Sequence, residues 1–272
     1  MADKIETIDG SVIQHGFHND RIYLMHLHGK TAGTLVPKLD RMAKAHGYGK
    51  IFAKIPAVHW KAFKSAGYTK EAVIPSFFRG TTDGLFIAKF FSADRQRTNK
   101  RNRFDAAERI SSATRRGGRT PLPVIPCTPS QSVALGKIYR RVFASYPFPI
   151  HQPAFLKRSM EKNTSYFCIQ ANRKIVAAAA AEIDSASKTC EMTDFATLPE
   201  YRGNGLAGML LGRLDDEAQN HGLGTAYTIA RADSYGMNRV FKKKGYRYAG
   251  RLVKNSQIGG RIRSMAVWYK HL

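Results

Sequence analysis

The period of the apolar positions changes along this chain, and each change marks an element. Residues 190–197 (CEMTDFAT) alternate as a half-buried strand does, whereas Met209, Leu210, Leu211 and Leu214 recur soon after at helical spacing. An apolar strand is expected over 225–230, then a short helix that closes at Phe241 and Gly245-Tyr246, then strands over 247–253 and 263–270. Earlier in the chain, 133–143 reads as a helix. Tyr146-Pro147-Phe148-Pro149-Ile150 ends it, because the residue before each proline is pushed out of helical geometry. A hairpin follows, with strands over 166–170 and 175–183 around a turn at Asn172-Arg173-Lys174.

The N-terminal third repeats the closing part of that pattern. Setting Gly67-Tyr68 on Gly245-Tyr246 without a gap also sets Phe63 on Phe241 and residues 87–91 on 265–269. One constant offset thus matches three elements and predicts a strand over 51–55, a helix over 59–66 and two further strands. A strand over 21–27 and a helix over 35–45 supply the first half of the same unit. Between the copies, Gly117-Gly118, Pro121, Pro123, Pro126 and Pro129 break regular structure and mark a connection. The expected organisation is 1–92, a connection over 93–130, and 131–272.

The corner between the 190–197 strand and its helix reads Arg202, Gly203, Asn204, Gly205, Leu206, Ala207, that is R-x-x-G-x-A. At a strand-to-helix corner the first backbone N–H groups lack internal partners and the helix dipole favours anions, while absent side chains let a diphosphate approach. The physics predicts bound phosphate, although a glycine corner alone also fits a tight turn.

The order strand, cradle, helix, strand, helix, strand, strand resembles the GNAT acyl-CoA N-acetyltransferase superfamily. The fold class expected is therefore α/β, a mixed α+β sheet of GNAT type, preceded by a degenerate GNAT-like repeat whose own corner, Gly29-Lys30-Thr31-Ala32-Gly33, is no cradle. The resemblance implies that Arg202 to Ala207 hold the pyrophosphate of acetyl-CoA, with Arg202, Gly205 and Ala207 filling the R/Q-x-x-G-x-G/A pattern. It also implies pantetheine contacts at a bulge near Phe195, Ala196 and Thr197, with Asn238 as a cofactor-facing polar group and Phe241 beside the cofactor. More narrowly, KIFAKIPA (50–57), YPFPI (146–150), MTDFAT (192–197), YTIARA (227–232), GMN (236–238) and VWYK (267–270) look like the beta-lysine N-acetyltransferase family. That resemblance implies acetyl transfer from acetyl-CoA to the terminal amine of beta-lysine, giving N-epsilon-acetyl-beta-lysine, a compatible solute.

Composition sets the outer bounds. A chain of 272 residues, 43% hydrophobic, can bury one large core or two smaller ones, and no apolar run approaches the roughly eighteen residues of a membrane span. Asp3, Glu6 and Asp9 interrupt any signal-peptide pattern, and Cys127, Cys168 and Cys190 have neither CxxC spacing nor an even count. A reducing cytoplasm is expected, with no disulfide framework, zinc or other metal; His26 and His28 share a strand face but lack a third ligand. The balance of 44 basic to 20 acidic residues, +24 net, favours an anionic cofactor and repels a cationic acceptor from the general surface. Nucleic acid is the other partner such charge suggests. The densest cluster, Arg95, Arg97, Lys100, Arg101 and Arg103 with Arg109, Arg115, Arg116 and Arg119, contains only Phe104 for stacking and reads as a solvated connection.

The chemistry needs a base. A lysine-type ammonium has a pKa of about 10.4, so freeing the amine near pH 7 costs roughly 4 to 5 kcal/mol. Glu191 stands eleven positions before Arg202, the spacing of the catalytic glutamate in histone-type GNAT enzymes, and is the expected base. Asp194 falls on the opposite face of a regular strand, and a bulge brings it to the same cleft, where it can hold the acceptor ammonium. The tyrosine that usually protonates the thiolate is replaced by Phe241, leaving Tyr235, Tyr246 or water. Arg231 is the expected partner of an acceptor carboxylate, Tyr146 and Phe148 its apolar walls, and Lys242, Lys243 and Lys244 either reach the nucleotide phosphate or form a solvated helix end. Other readings remain: an acetyltransferase for a polyamine, an aminoglycoside or a protein lysine, or a basic nucleic-acid-associated module.

Overall fold

The computed structural model describes residues 3–97 and 122–272. Its first half carries strands β1 (Lys4–Ile8), β2 (Ser11–Gly16), β3 (Arg21–His26), β4 (Lys50–Pro56), β5 (Thr69–Phe78) and β6 (Thr82–Phe90). Helix α1 (Ala32–His46) connects β3 to β4, α2 (Trp60–Ser65) leads into β5, and the short α3 (Ala93–Gln96) follows β6. The second half opens with β7 (Val124–Pro126), α4 (Ser132–Val142), α5 (Pro153–Lys162), β8 (Thr164–Ala171) and β9 (Lys174–Asp184). It closes with β10 (Thr189–Thr197), α6 (Leu206–Asn220), β11 (Thr225–Arg231), α7 (Tyr235–Lys243), β12 (Arg247–Ile258) and β13 (Arg261–His271).

These strands form one mixed sheet in the order β1-β2-β3-β4-β6-β5-β12-β13-β11-β10-β9-β8-β7. Neighbours are antiparallel except β3 with β4 and β10 with β11, the two places where a long helix returns the chain to the sheet. Each of those helices buries one stripe: Leu35, Val36 and Leu39 on α1, and Leu210, Leu211 and Leu214 on α6.

The offset read from Gly67-Tyr68 and Gly245-Tyr246 also holds for strand register. Lys50, Ile51 and Phe52 face Phe90, Lys89 and Ala88, while Thr228, Ile229 and Ala230 face Trp268, Val267 and Ala266. The halves meet where β5 touches β12, at Ala72 and Gly250, which the same offset relates. Gly250 has φ 150°, and a Cβ there would run into the Glu71 carbonyl oxygen and Ala72, so only glycine lets the two edges approach.

Around that single backbone pairing the joint is closed by side chains. Tyr23, Phe52, Phe77 and Phe86 from the first half pack against Tyr227, Leu252 and Val267 from the second, each such burial contributing about 1.5–3 kcal/mol. The buried Lys50 donates to Glu71 Oε2 at 2.7 Å and to the Val253 carbonyl at 2.8 Å, and Glu71 Oε1 accepts from Val253 N at 2.7 Å. Burial pushes Lys50 down to about 8 against the pull of Glu71.

Three strands lie outside the pattern-based expectations. β7 sits in the stretch expected to be a connection; it is three residues long and ends in Pro126, which an edge strand tolerates. β1 and β2 form the opposite edge, and the charged KIETI of β1 hides its alternation. The β8–β9 turn is a two-residue one, with Asn172 and Arg173 both left-handed at φ 49° and 60°. No helix among the described residues is long and apolar enough to cross a membrane.

Candidate active site

Beyond Thr197 the chain makes a short 3-10 turn over Pro199–Tyr201, then passes through two left-handed glycines, Gly203 at φ 84° and Gly205 at φ 77°, into α6. Arg202 Nε donates to the Thr197 carbonyl at 3.2 Å and Asn204 Nδ2 to the Tyr201 carbonyl at 3.0 Å, which fixes the loop. Leu206 anchors it in the core, with Ala207 half-buried beside it. Gly205 provides no side-chain cap and the first turn of α6 carries no acidic residue. A Cβ at Gly203 or Gly205 would meet nothing within 4 Å, so the concavity is open. Open space, uncapped N–H groups and no competing carboxylate fit a diphosphate. The Lys244 ammonium adds positive charge against α6, 3.3 Å from where a Gly212 Cβ would stand.

β10 and β11 pair only from Thr189–Thr225 to Glu191–Tyr227, then part. The β11-facing edge of Phe195, Ala196 and Thr197 therefore has no strand partner, although Ala196 and Thr197 still pair with β9. A register shift between Thr193 and Ala196 marks the expected bulge, and Asp194 at its centre is left-handed, φ 56°. The bulge turns Asp194 to the same side as Glu191, and both line a cavity of about 1000 Å³. The N-terminal half supplies much of its wall, including Arg21, Tyr23, Phe52 and Lys54.

Glu191 is half-buried at the bottom of the strand fork. Tyr227 Oη donates to its Oε2 at 2.9 Å, and Lys54 Nζ donates to Tyr227 Oη at 2.8 Å. Burial, and then the facing Glu182 carboxylate, push Glu191 up to about 7, with Lys54 and Tyr227 opposing. Asp194 is pushed up to about 6, chiefly by burial, against hydrogen bonds from Tyr146 and Tyr166; the Tyr166 bond is 3.3 Å long. A carboxylate near 7 is matched to taking protons at neutral pH.

Tyr146 and Phe148 line the cavity, as does Arg231 at the end of β11. The loop carrying the two rings is gripped from both halves. Gln14 Nε2 bonds the Pro147 carbonyl at 3.0 Å, His18 Nε2 the Tyr146 carbonyl at 3.2 Å, and Gly259 N the Ser145 carbonyl at 3.1 Å. Phe241 and Phe195 meet edge to face at 5.6 Å and close the wall between β10 and α7.

Four expectations need correction. Asn238 is fully buried: its amide donates to the carbonyls of Arg231 and Ser234 at 3.0 and 2.8 Å and accepts from Trp268 Nε1 at 2.8 Å, so it ties α7 to the sheet and has no donor left for a ligand. Tyr235 is 48% exposed and is not part of the cavity wall. Tyr246 is buried and donates to Asp215 at 2.7 Å, away from the cleft. Arg95, counted in the solvated basic cluster, is buried and paired with Asp20 at 2.7 Å. Lys100, Arg101, Arg103, Phe104, Arg109, Arg115, Arg116 and Arg119 lie outside the described residues.

Sequence reasoning missed Arg21, Lys54, Glu182 and Tyr227. The available signal was Lys54, a lysine between the apolar residues Ala53 and Ile55 of a strand, and Tyr227, which the YTIARA segment contains.

The N-terminal half has no comparable cradle. Its helix α1 is entered through a 3-10 turn over Gly29–Thr31 without left-handed glycines, and the His59 ring stands 3.0 Å from where a Gly29 Cβ would be.

Comparison with known proteins agrees with this geometry. A profile of the Acetyltransferase (GNAT) family matches residues 134–246, which contain the cradle, Glu191 and Asp194. The beta-lysine N(6)-acetyltransferase of Methanococcus maripaludis is 37% identical over 98% of both chains. N-acetyltransferase YodP of Bacillus subtilis is 29% identical over 96% of both, and the beta-lysine N(6)-acetyltransferase of Methanosarcina mazei is 26% identical over 86% of this chain and 95% of that one. The class is thus a GNAT acetyltransferase, and the chain belongs, along its whole length, to the beta-lysine N-acetyltransferase family.

Proposed function

We propose that this enzyme moves acetyl from acetyl-CoA to the terminal side-chain amine of beta-lysine, giving N-epsilon-acetyl-beta-lysine for use as a compatible solute. The observation that carries the mechanism is Glu191: a carboxylate raised to about 7, at the fork of the sheet, inside a cavity large enough for a small amine. The acceptor carries ammonium and carboxylate groups, and the cavity offers both signs of charge, with Glu182, Glu191 and Asp194 against Arg21, Lys54 and Arg231. The names borne by two full-length relatives support the choice of acceptor.

Acetyl-CoA supplies the acetyl group as a thioester. Residues Arg202, Gly203, Asn204, Gly205, Leu206 and Ala207 hold its diphosphate, and the unpaired edge of Phe195, Ala196 and Thr197 receives the pantetheine amides. Asp194 steadies the acceptor ammonium while Glu191 removes one proton from it. The free amine forms its bond to the thioester carbonyl carbon, the carbon–sulfur bond breaks, the new amide nitrogen gives its second proton to solvent, and solvent protonates the thiolate. Each pKa unit by which the base rises toward the ammonium's about 10.4 removes about 1.4 kcal/mol from the proton transfer.

We read residues 131–272 as the catalytic half, 93–130 as the connection and 1–92 as a degenerate repeat that binds no acetyl-CoA. Its closed corner at Gly29–Thr31 supports this. The free thiols of Cys127, Cys168 and Cys190 suit a cytoplasmic enzyme.

Release of CoA measured with beta-lysine, alpha-lysine and spermidine tests the acceptor. The highest kcat/KM is expected with beta-lysine; a clear preference for spermidine or alpha-lysine would overturn the assignment.

A further inference from the structure

The cavity wall contains a deeply buried cation that the mechanism has not used. Arg21, on β3, is only 3% exposed. Its guanidinium lies 5.2 Å from the centre of the Tyr23 ring and 5.8 Å from that of Phe52, so two aromatic faces hold its plane. Among the described residues its side chain bonds through Nη1, to the Asn255 carbonyl at 2.6 Å and to Ser256 Oγ at 3.0 Å, across the joint between the halves. Nε is buried without a partner.

The other buried cations around the joint are neutralised. Lys50 pairs with Glu71 and Arg95 with Asp20, each at 2.7 Å. Among the described residues no carboxylate forms an ion pair with Arg21, and burial pushes its guanidinium down to about 10. Asp3 and Glu191 act on its charge without forming an ion pair, and a buried guanidinium lacking a hydrogen-bonded carboxylate is costly, so a carboxylate brought into the cavity would complete the pair.

We propose that Arg21, from the N-terminal half, binds the carboxylate of the acceptor inside the cavity that holds Glu191. The planar fork of arginine suits a carboxylate, and its anchored Nη1 and flanking rings pre-organise it. Arg231, the guanidinium that the sequence favours for this task, is half-buried and can remain solvated when the site is empty. The N-terminal half is then a specificity element: it has no cradle of its own but selects an acceptor that carries a carboxylate. This inference rests on the acceptor class proposed above.

The test compares kcat/KM for beta-lysine with that for 1,4-diaminopentane, the same skeleton without the carboxylate, and likewise for alpha-lysine with 1,5-diaminopentane. Full-length wild type, Arg21→Met, Arg21→Lys and Arg231→Met are assayed, with melting temperature and acetyl-CoA affinity as checks on folding. The wild type should prefer the carboxylated member of its acceptor pair. Arg21→Met should reduce that preference roughly 10- to 100-fold, mainly through KM, with Arg21→Lys between wild type and Arg21→Met, and Arg231→Met losing less of it than Arg21→Met. A preference undiminished in folded Arg21→Met, or one that falls further in Arg231→Met than in Arg21→Met, would overturn the assignment. Wild type that ignores beta-lysine but shows the Arg21-dependent preference in the lysine pair would contradict the proposed acceptor and leave Arg21's role standing.

Discussion

Glu191 illustrates how a single side chain acquires a function from its surroundings. Position in the sequence singles it out, but its pKa is set by the fold: burial and Glu182 on the neighbouring β9 raise it, while Lys54 from the other half and Tyr227 on β11 hold it back. To accept a proton it must be ionised, so kcat/KM should fall about tenfold per unit as pH drops below about 7. Glu191→Gln should lower the rate at neutral pH by about a hundred- to ten-thousand-fold, remove that limb, and recover progressively as pH approaches the amine's own pKa. A Gln variant that keeps the limb near 7 would move the base to another group, Asp194 first. Stability should respond with the opposite sign. A carboxyl raised on folding favours the folded state while it is protonated and loses that contribution as pH rises through about 7, so above pH 7 Glu191→Gln should melt higher than wild type, whereas an unchanged or lower melting temperature would deny that Glu191 is buried at a cost.

At the scale of elements, what was legible in the sequence was local. The cradle announces itself because strand, two glycines and helix lie within one short stretch, and the structure places both glycines in the left-handed region. The repeat was legible because one offset aligns Gly67-Tyr68 with Gly245-Tyr246, and the same offset relates the facing residues of β4 and β6 to those of β11 and β13. What stayed hidden depends on contacts distant in sequence. Arg21 meets Asn255 and Lys50 meets Val253, and no pattern around any of them signals the encounter. Arg95 illustrates the same limit: within a run of basic residues it looks solvated, yet Asp20 buries it. Asn238 sits where a family motif expects a cofactor contact, and only the three dimensions show its amide already consumed. The cradle itself offers a direct check. Calorimetry should give one acetyl-CoA per chain for wild type and no binding for folded Gly205→Asp, which adds bulk and negative charge at the proposed diphosphate site. Unchanged affinity in that variant would remove the cradle from its assigned role, and two equivalent sites in wild type would give the N-terminal repeat one as well.

For the whole molecule, the proposed roles of the two halves divide the work rather than duplicate it. The +24 net charge draws anions such as acetyl-CoA and repels a cationic acceptor at long range. Inside the cavity, Glu182, Glu191 and Asp194 oppose that field at the proposed amine site, while Arg21 lines the same chamber with no ion-pair partner among the described residues. In the proposed arrangement a short amino acid lies with its terminal amine toward Glu191 and its carboxylate toward the N-terminal half. Beta-lysine has a second amine, next to its carboxylate end, so the orientation has a direct chemical readout. Fragmentation mass spectrometry of the product formed from beta-lysine and acetyl-CoA locates the new acetyl group. The account predicts acetyl on the terminal nitrogen alone; acetyl on the nitrogen beside the carboxylate, or a mixture of the two, would contradict it.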